Sequence, residues 1–371
     1  MKFVVFGLSI SSAWGNGHAT LLRGLFRALH EQGNQVHFFE RDVPYYASHR
    51  DVETLPYAHL HLYSDWNENL HWAKQQIADA EVAIVTSYCT DGRSACKLIL
   101  DANIPCKIFY DMDTPVTLSR MDRGEQVEYI PQEGLSGFDL VLSYTGGEAL
   151  HQLQTKLGAR VVAPLYGWVD PAIHHRVERS PDFQSDLSYL GTYSADRQPG
   201  LEQLLLAPAR QLVHHRFLIA GAMYPDSTSW PANVRHFEHI SPPEHSAFYS
   251  SSALTLNITR SSMAAMGFCP SGRFFEAAAC GTPILSDWWP GLDTFFMPGE
   301  EIFIATSTAD AVATLQRSPA ELQQVAIRAQ QRTFDCHTAA IRAKRLISLL
   351  ESPPKEAGRT EEEALATTQA R

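Results

Sequence analysis

Residues 2–39 read KFVVFGL, SISSAWGNG, HATLLRGLFRALHE, QGN and QVHFF in turn. The first seven residues are an unbroken apolar run, which predicts a strand buried on both faces. Residues 9–17 are small and polar and contain two glycines, as a loop does. From 18 to 31 the apolar positions Leu21, Leu22, Leu25, Phe26 and Leu29 fall on one face of a helix, and Gly33 is placed to stop it. Residues 35–39 then form a second strand. Strand, glycine-bearing loop, helix and strand in this order open a doubly wound parallel sheet.

The alternation continues outward, with strands expected at 58–62, 81–86, 106–110, 139–143 and 160–163. It pauses at 164–179 (PLYGWVDPAIHHRVER), where two prolines and no clean period mark a connector. It restarts at 186–190 (DLSYL), with strands expected near 217–220, 234–237, 253–257, 282–286 and 301–305. Two long helical patterns follow, at 319–333 and 337–350. The fold class is therefore α/β, built from two Rossmann-like doubly wound domains. The expected division is a first domain at 1–165, a linker at 166–185, a second domain at 186–335, a helix at 336–351 and a disordered tail at 352–371. Length agrees, because 371 residues exceed what one hydrophobic core normally holds.

Composition narrows the function classes. An apolar fraction of 44% and a charged fraction of 19% exclude wholesale disorder. Thirty Lys and Arg against 41 Asp and Glu give a net charge of −11, which argues against a broad nucleic-acid footprint. No apolar run is long enough for a transmembrane helix, and the opening residues lack the long apolar core of a signal peptide. Six cysteines are scattered without metal-ligand spacing, which fits a reducing, cytoplasmic setting.

The strongest chemical signal is residues 270–283, PSGRFFEAAACGTP. Here a helix begins at Ser271, Gly272 and Arg273, whose backbone N–H groups have no partner within the helix. The macrodipole adds partial positive charge there and Arg273 adds a full one, so the segment suits an anion such as phosphate. Glu276, one turn in, is placed to accept hydrogen bonds from two adjacent ribose hydroxyls. A capped helix with a solvated Glu276 is the plain alternative.

FEAAACGTPILSD is similar to the nucleotide-binding segment of group 1 glycosyltransferases of the GT-B fold. With LSYLGTYSADRQPGLEQLL, LNITRSSMAAMGFCPSGRFFEAAACGTPILSDWWPGLDTFFMPGEEI and FFERDVPYYASHRD, the chain resembles the CgeB-type glycosyltransferase-like family over roughly residues 1–335. The resemblance implies a cleft with a nucleotide diphosphate sugar bound by the second domain and an acceptor by the first. It implies ribose binding by Glu276, a diphosphate near Ser271, Gly272 and Arg273, and a last helix that crosses back to the first domain. It also implies chemistry with no obligatory metal or cofactor. Many group 1 enzymes carry a second acid eight positions before this glutamate; here that position is Phe268, so donor-sugar recognition and stereochemistry do not transfer.

Other candidates lie at strand ends. Arg260, after the strand at 253–257, is placed to clamp the diphosphate or to form a surface ion pair. Arg197 corresponds loosely to a phosphate-contacting basic position of the related enzymes. Asp287, with Trp288 and Trp289, falls at the donor edge, where the aromatics either stack on a ligand or fill the core. In the first domain, Gly15, Asn16 and Gly17 form a cleft loop that allows close backbone approach. His18 follows as a candidate general base, or as a capping or donor-positioning residue. Asp113, in Asp111-Met112-Asp113, is a candidate to orient His18, to act as the base or to bind acceptor hydroxyls. A metal at this Asp pair is not expected, and the pairs His174-His175 and His214-His215 read as ordinary surface or partly buried histidines.

Three rivals stand beside this reading. A nicotinamide oxidoreductase is suggested by Glu40, 23 residues after Gly17, but the glycine fingerprint is broken at Thr20. A nucleotide-sugar epimerase or hydrolase, or a non-catalytic sugar-nucleotide-binding protein, would share the fold. The acceptor is open among a saccharide, a lipid-linked precursor, a small metabolite and a protein.

Overall fold

The computed structural model describes residues 1–354. The first sheet has seven strands: β1 (Lys2–Gly7), β2 (Gln35–Arg41), β3 (His59–Tyr63), β4 (Val82–Thr86), β5 (Cys106–Asp111), β6 (Leu140–Ser143) and β7 (Val162–Pro164). Their spatial order is β3-β2-β1-β4-β5-β6-β7, and every pairing is parallel. The second sheet comprises β8 (Leu187–Leu190), β9 (Phe217–Ala220), β10 (Val234–Phe237), β11 (Thr255–Asn257), β12 (Ile284–Ser286) and β13 (Phe303–Ile304). Its order is β10-β9-β8-β11-β12-β13, again all parallel. Strand order reverses between β1 and β4 and again between β8 and β11, the crevice where open α/β sheets bind ligands.

Burial on both faces explains why β1 lacks an alternating pattern. Phe3 and Val5 enter one core, shared with Leu22, Leu25 and Phe26, while Val4 and Phe6 enter a second core on the opposite face. The second sheet likewise separates two cores, with Leu218 and Ile284 in one and Ile219 and Leu285 in the other. The last described helix, Ala339–Glu351, places Ala339, Ala343, Leu346 and Leu349 in the core of the first sheet. Arg342 anchors the crossing: its Nε donates to the Tyr166 and Gly167 carbonyls (3.0 and 3.2 Å) and its Nη1 to the Cys336 carbonyl (3.0 Å). The tail expected at 352–371 lies, beyond its first three residues, outside the described residues. No described helix is long and apolar enough to cross a membrane.

Several contacts join the domains across the crevice. Gly146 donates its N–H to the Phe268 carbonyl (3.0 Å), and the Trp14 ring lies between His49 (4.4 Å) and His239 of the second domain (4.2 Å). The connector follows closely: a Cβ on Gly167 would fall 1.9 Å from the Tyr144 hydroxyl, so a larger residue there displaces the Tyr144 ring.

Candidate functional site

The second-domain wall is cationic. The helix Gly272–Ala279 is capped by Ser271, whose Oγ accepts from the Arg273 N–H (3.4 Å) and from Arg273 Nε (3.1 Å). The Arg273 guanidinium lies 5.5 Å over the Tyr189 ring, and its Nη1 is buried without a hydrogen-bond partner among the described residues. Arg197 is also buried: Nη2 donates to the Thr192 carbonyl (2.6 Å), and Nε has no partner among the described residues. Burial, and then the like charges of Arg273 and Arg260, hold the Arg197 pKa below its ordinary value. Arg260 sits at the start of the short helix Ser261–Met266. Among the described residues none of these three arginines forms an ion pair. Buried polar groups in folded proteins are almost always paired, so clustered cations with orphaned nitrogens are an exception that calls for an explanation.

Glu276 lies one turn into the same helix. Tyr249 Oη donates to its Oε2 (3.3 Å), while Oε1 faces the backbone of Gly272. The carboxylate lines a cavity of about 670 Å³ whose wall includes Trp14, Tyr57, Trp168, Ile173 and Pro242. His174 shares that wall, and His245 stands close behind it; one ligand-type atom from each histidine lies within 4.8 Å of the other and of Glu276.

The first-domain wall is acidic and aromatic. His18 opens the helix Gly17–Glu31, with its N–H donated to Asn16 Oδ1 (3.2 Å). Its ring is 5.6 Å from that of Tyr88, and Tyr88 Oη donates to Asp113 Oδ2 (2.9 Å). Tyr88 therefore stands between the two residues singled out in sequence. Burial holds the His18 pKa below its ordinary value, against the pull of Asp113. The imidazole is then neutral at neutral pH and free to accept a proton. Tyr88 has φ +63°, a conformation that non-glycine residues keep only where the surroundings impose it.

The cleft loop is fixed from within. Asn16 is buried, with Nδ2 donated to the Ser9 and Ser12 carbonyls (3.0 and 3.3 Å). Gly15 has φ +60°, whereas a Cβ on Gly17 would meet open space. Glu40 accepts four hydrogen bonds from this loop: from Ser9 Oγ (2.8 Å), the Ile10 N–H (2.7 Å), the Ser11 N–H (3.0 Å) and Ser11 Oγ (2.5 Å). The residue that imitated a ribose-binding acid is thus a loop brace.

Two acids of the sequence reading are engaged internally. Asp287 accepts from the Thr259 N–H (2.9 Å), Thr259 Oγ1 (3.0 Å) and Ser286 Oγ (3.2 Å), which fixes the loop that carries Arg260. Of the tryptophans beside it, Trp289 is core and Trp288 is exposed. Asp111 is fully buried, accepts from the Asp113 N–H (3.0 Å) and is pushed up to about 6 by burial. Phe268 lies in the left-handed region with its ring against Gly147 and Gly291, so an apolar domain contact fills the position where group 1 enzymes hold the second acid.

Sequence reasoning missed Tyr88, Tyr249 and the pairing of His174 with His245. Tyr88 follows β4 at its carboxyl end, a signal that was there to be used. The two histidines stand 71 positions apart, and no spacing connects them.

Residues 197–348 match the family model described as glycosyl transferase-like. No curated protein matches the chain in sequence. Among solved structures, sucrose-phosphate synthase from Thermosynechococcus elongatus superposes with a TM-score of 0.67 at 15% identity, covering 95% of this chain and 98% of that one. HepE from Anabaena, solved with UDP and glucose, gives 0.64 at 10% identity over 95% and 100% of the two chains. An alpha-glucosyltransferase, solved with UDP and a 13-mer DNA, gives 0.66 at 11% identity over 95% and 100%. The superpositions establish the GT-B architecture, two Rossmann-like domains facing a cleft. The family match over residues 197–348 supports a glycosyltransferase.

Proposed function

We propose that the protein transfers a glycosyl unit from a nucleoside diphosphate sugar to an acceptor hydroxyl without an obligatory metal. The observation that carries this reading is a set of three arginines, none in an ion pair among the described residues, at and around the start of the Gly272–Ala279 helix, with Glu276 one turn further in. In this reading Glu276 accepts from the ribose hydroxyls. The backbone N–H groups of Gly272 and Arg273, with the side chains of Arg273, Arg260 and Arg197, hold the diphosphate. Ser271 and Asp287 shape that pocket, and Gly15, Asn16 and Gly17 line the acceptor side.

The step follows from that placement. His18 takes the acceptor proton, with Asp113 and Tyr88 setting the field around it, and the acceptor oxygen attacks the anomeric carbon. The bond from that carbon to the diphosphate oxygen breaks, and its electron pair leaves with the nucleoside diphosphate. Fixed guanidinium groups in a cleft stabilise that developing charge without any metal. UDP sugars are the first donors to test, because the HepE and alpha-glucosyltransferase neighbours were solved with UDP. CgeB-type membership is part of the proposal and rests on the motifs around 256–302. The acceptor classes to screen are saccharides, lipid-linked precursors, small metabolites and proteins, with DNA included because one neighbour was solved with it.

The test pairs two variants. Glu276→Ala weakens UDP binding by about 10-fold or more, the scale of two lost hydrogen bonds to a charged group. His18→Ala keeps UDP affinity and slows acceptor-dependent turnover by about 10²-fold or more. Calorimetry and a product assay read the two effects. Unchanged UDP affinity in Glu276→Ala rejects the ribose role, and full turnover in His18→Ala rejects the base.

A further inference from the structure

We propose that His174, His245 and Glu276 form a zinc-class cation site that opens onto the inter-domain cavity and excludes the nucleotide when filled. The donors come from three separate places: the connector, the start of the helix His245–Ser250, and the helix Gly272–Ala279. One ligand-type atom from each lies within 4.8 Å of the other two. His174 is only 3% exposed, yet among the described residues its Nε2 has no hydrogen-bond partner, and His245 Nδ1 is likewise buried and unpartnered there. Two orphaned imidazole nitrogens beside one carboxylate are a set of groups short of a ligand.

The pair is held independently of any ligand. The His175 N–H donates to Ser246 Oγ (3.4 Å), Ser246 Oγ to the Ile173 carbonyl (2.9 Å), and the Val177 N–H to Ser250 Oγ (3.1 Å). These bonds lace the connector to the helix that carries His245, so His174 and His245 stay side by side. Two imidazoles and a carboxylate leaving a fourth position open suit zinc, whereas magnesium and calcium prefer all-oxygen sets. Tetrahedral zinc ligand atoms stand about 3.4 Å apart, so modest side-chain rotation closes the triad. Glu276 and His174 both line the cavity of about 670 Å³, which gives a cation a route in.

The antagonism rests on the ribose role proposed for Glu276, because zinc on the carboxylate draws off its charge and turns it toward the histidines, so that it no longer meets both ribose hydroxyls. The cation is therefore a brake on donor binding and takes no part in transfer. The test is calorimetry on the full chain, stripped with EDTA and exchanged into chelator-free buffer. ZnCl2 is titrated without nucleotide, MgCl2 serves as the contrasting cation, and UDP is titrated with and without zinc. We expect one zinc per chain, weakened at least about 10-fold in His174→Gln and in His245→Gln, with UDP affinity retained in both. Zinc raises the apparent Kd for UDP in the parent chain and not in His174→Gln. Thermal melts confirm that both variants fold.

Zinc affinity that is unchanged in both histidine variants overturns the site. Loss of UDP affinity in those variants under EDTA overturns it as well, since the imidazoles then serve the nucleotide directly. The ribose role is judged separately, by UDP binding to Glu276→Ala in EDTA, so the failure of either idea is visible without the other.

Discussion

The two domains use the same local design, a loop leaving a strand at the crevice, and treat its polar groups in opposite ways. In the first domain the loop after β1 is satisfied from inside, with Glu40 accepting four bonds from Ser9, Ile10 and Ser11 and Asn16 closing it below. In the second domain the loop after β8 ends in Arg197, buried with an orphaned Nε beside Arg273, which has an orphaned Nη1. Internal satisfaction yields a rigid scaffold. Internal dissatisfaction leaves a deficit that a ligand can fill, at some cost in stability while the site is empty. Two loops at equivalent places in their sheets therefore predict opposite responses to mutation.

The largest contrast is expected at the cationic wall. Arg273→Ala weakens UDP binding by about 10²-fold or more, the scale for truncating one partner of a buried charged pair. Arg197→Leu also weakens it, while raising the melting temperature of the nucleotide-free protein. The sign follows from the depressed pKa: the fold penalises the charged form of Arg197, so removing the charge relieves the empty state. Calorimetry and thermal melts on the same samples check both halves. A fall in melting temperature together with unchanged UDP affinity would make Arg197 a structural residue like Glu40, and the contrast between the loops would collapse.

Glu40→Ala is the mirror case. It strands two hydroxyls and two backbone N–H groups of the loop, and unsatisfied buried groups cost about 1–3 kcal/mol each, so a loss of about 3 kcal/mol or more is expected. UDP affinity is expected to be retained, because the loop belongs to the first domain and not to the arginine-bearing wall of the second. Denaturant unfolding measures the loss. Retained stability would show that water replaces the carboxylate without penalty.

What could be read from sequence divides along a related line. The capped helix start at Ser271, Gly272 and Arg273 was legible because a cap, a helix start and a cation sit together in one short segment, and the physics there is local. The two-sheet architecture was legible because continuous apolar strands alternate with amphipathic helices. The pairing of His174 with His245 was not legible, since only the connector's path over the second domain joins them. The capture of Asp287 by Thr259 and Ser286 depends on register between β11 and β12, which composition does not record. The two carboxylates of Asp111-Met112-Asp113 looked equivalent as text. The fold separates them, turning Asp111 into the protein and Asp113 toward Tyr88.

That separation gives the smallest expected effect and the sharpest sign. Burial raises Asp111 from 3.8 to about 6, so the folded state holds its proton to higher pH than the unfolded chain does. Between these values the native state binds more protons, and stability contributed by this group falls as pH rises. Burying the ionised carboxylate therefore costs the fold about 3 kcal/mol at most, reached above pH 6 and absent below pH 4. Asp111→Asn keeps an acceptor for the Asp113 N–H and removes the titration. The variant is therefore expected to be more stable than the parent by about 1–2 kcal/mol at pH 8, with the advantage vanishing near pH 4. Denaturant unfolding of both proteins across that range measures the difference. A difference that is flat with pH would mean that Asp111 ionises normally, and that water or a cation reaches a carboxylate that the fold otherwise encloses.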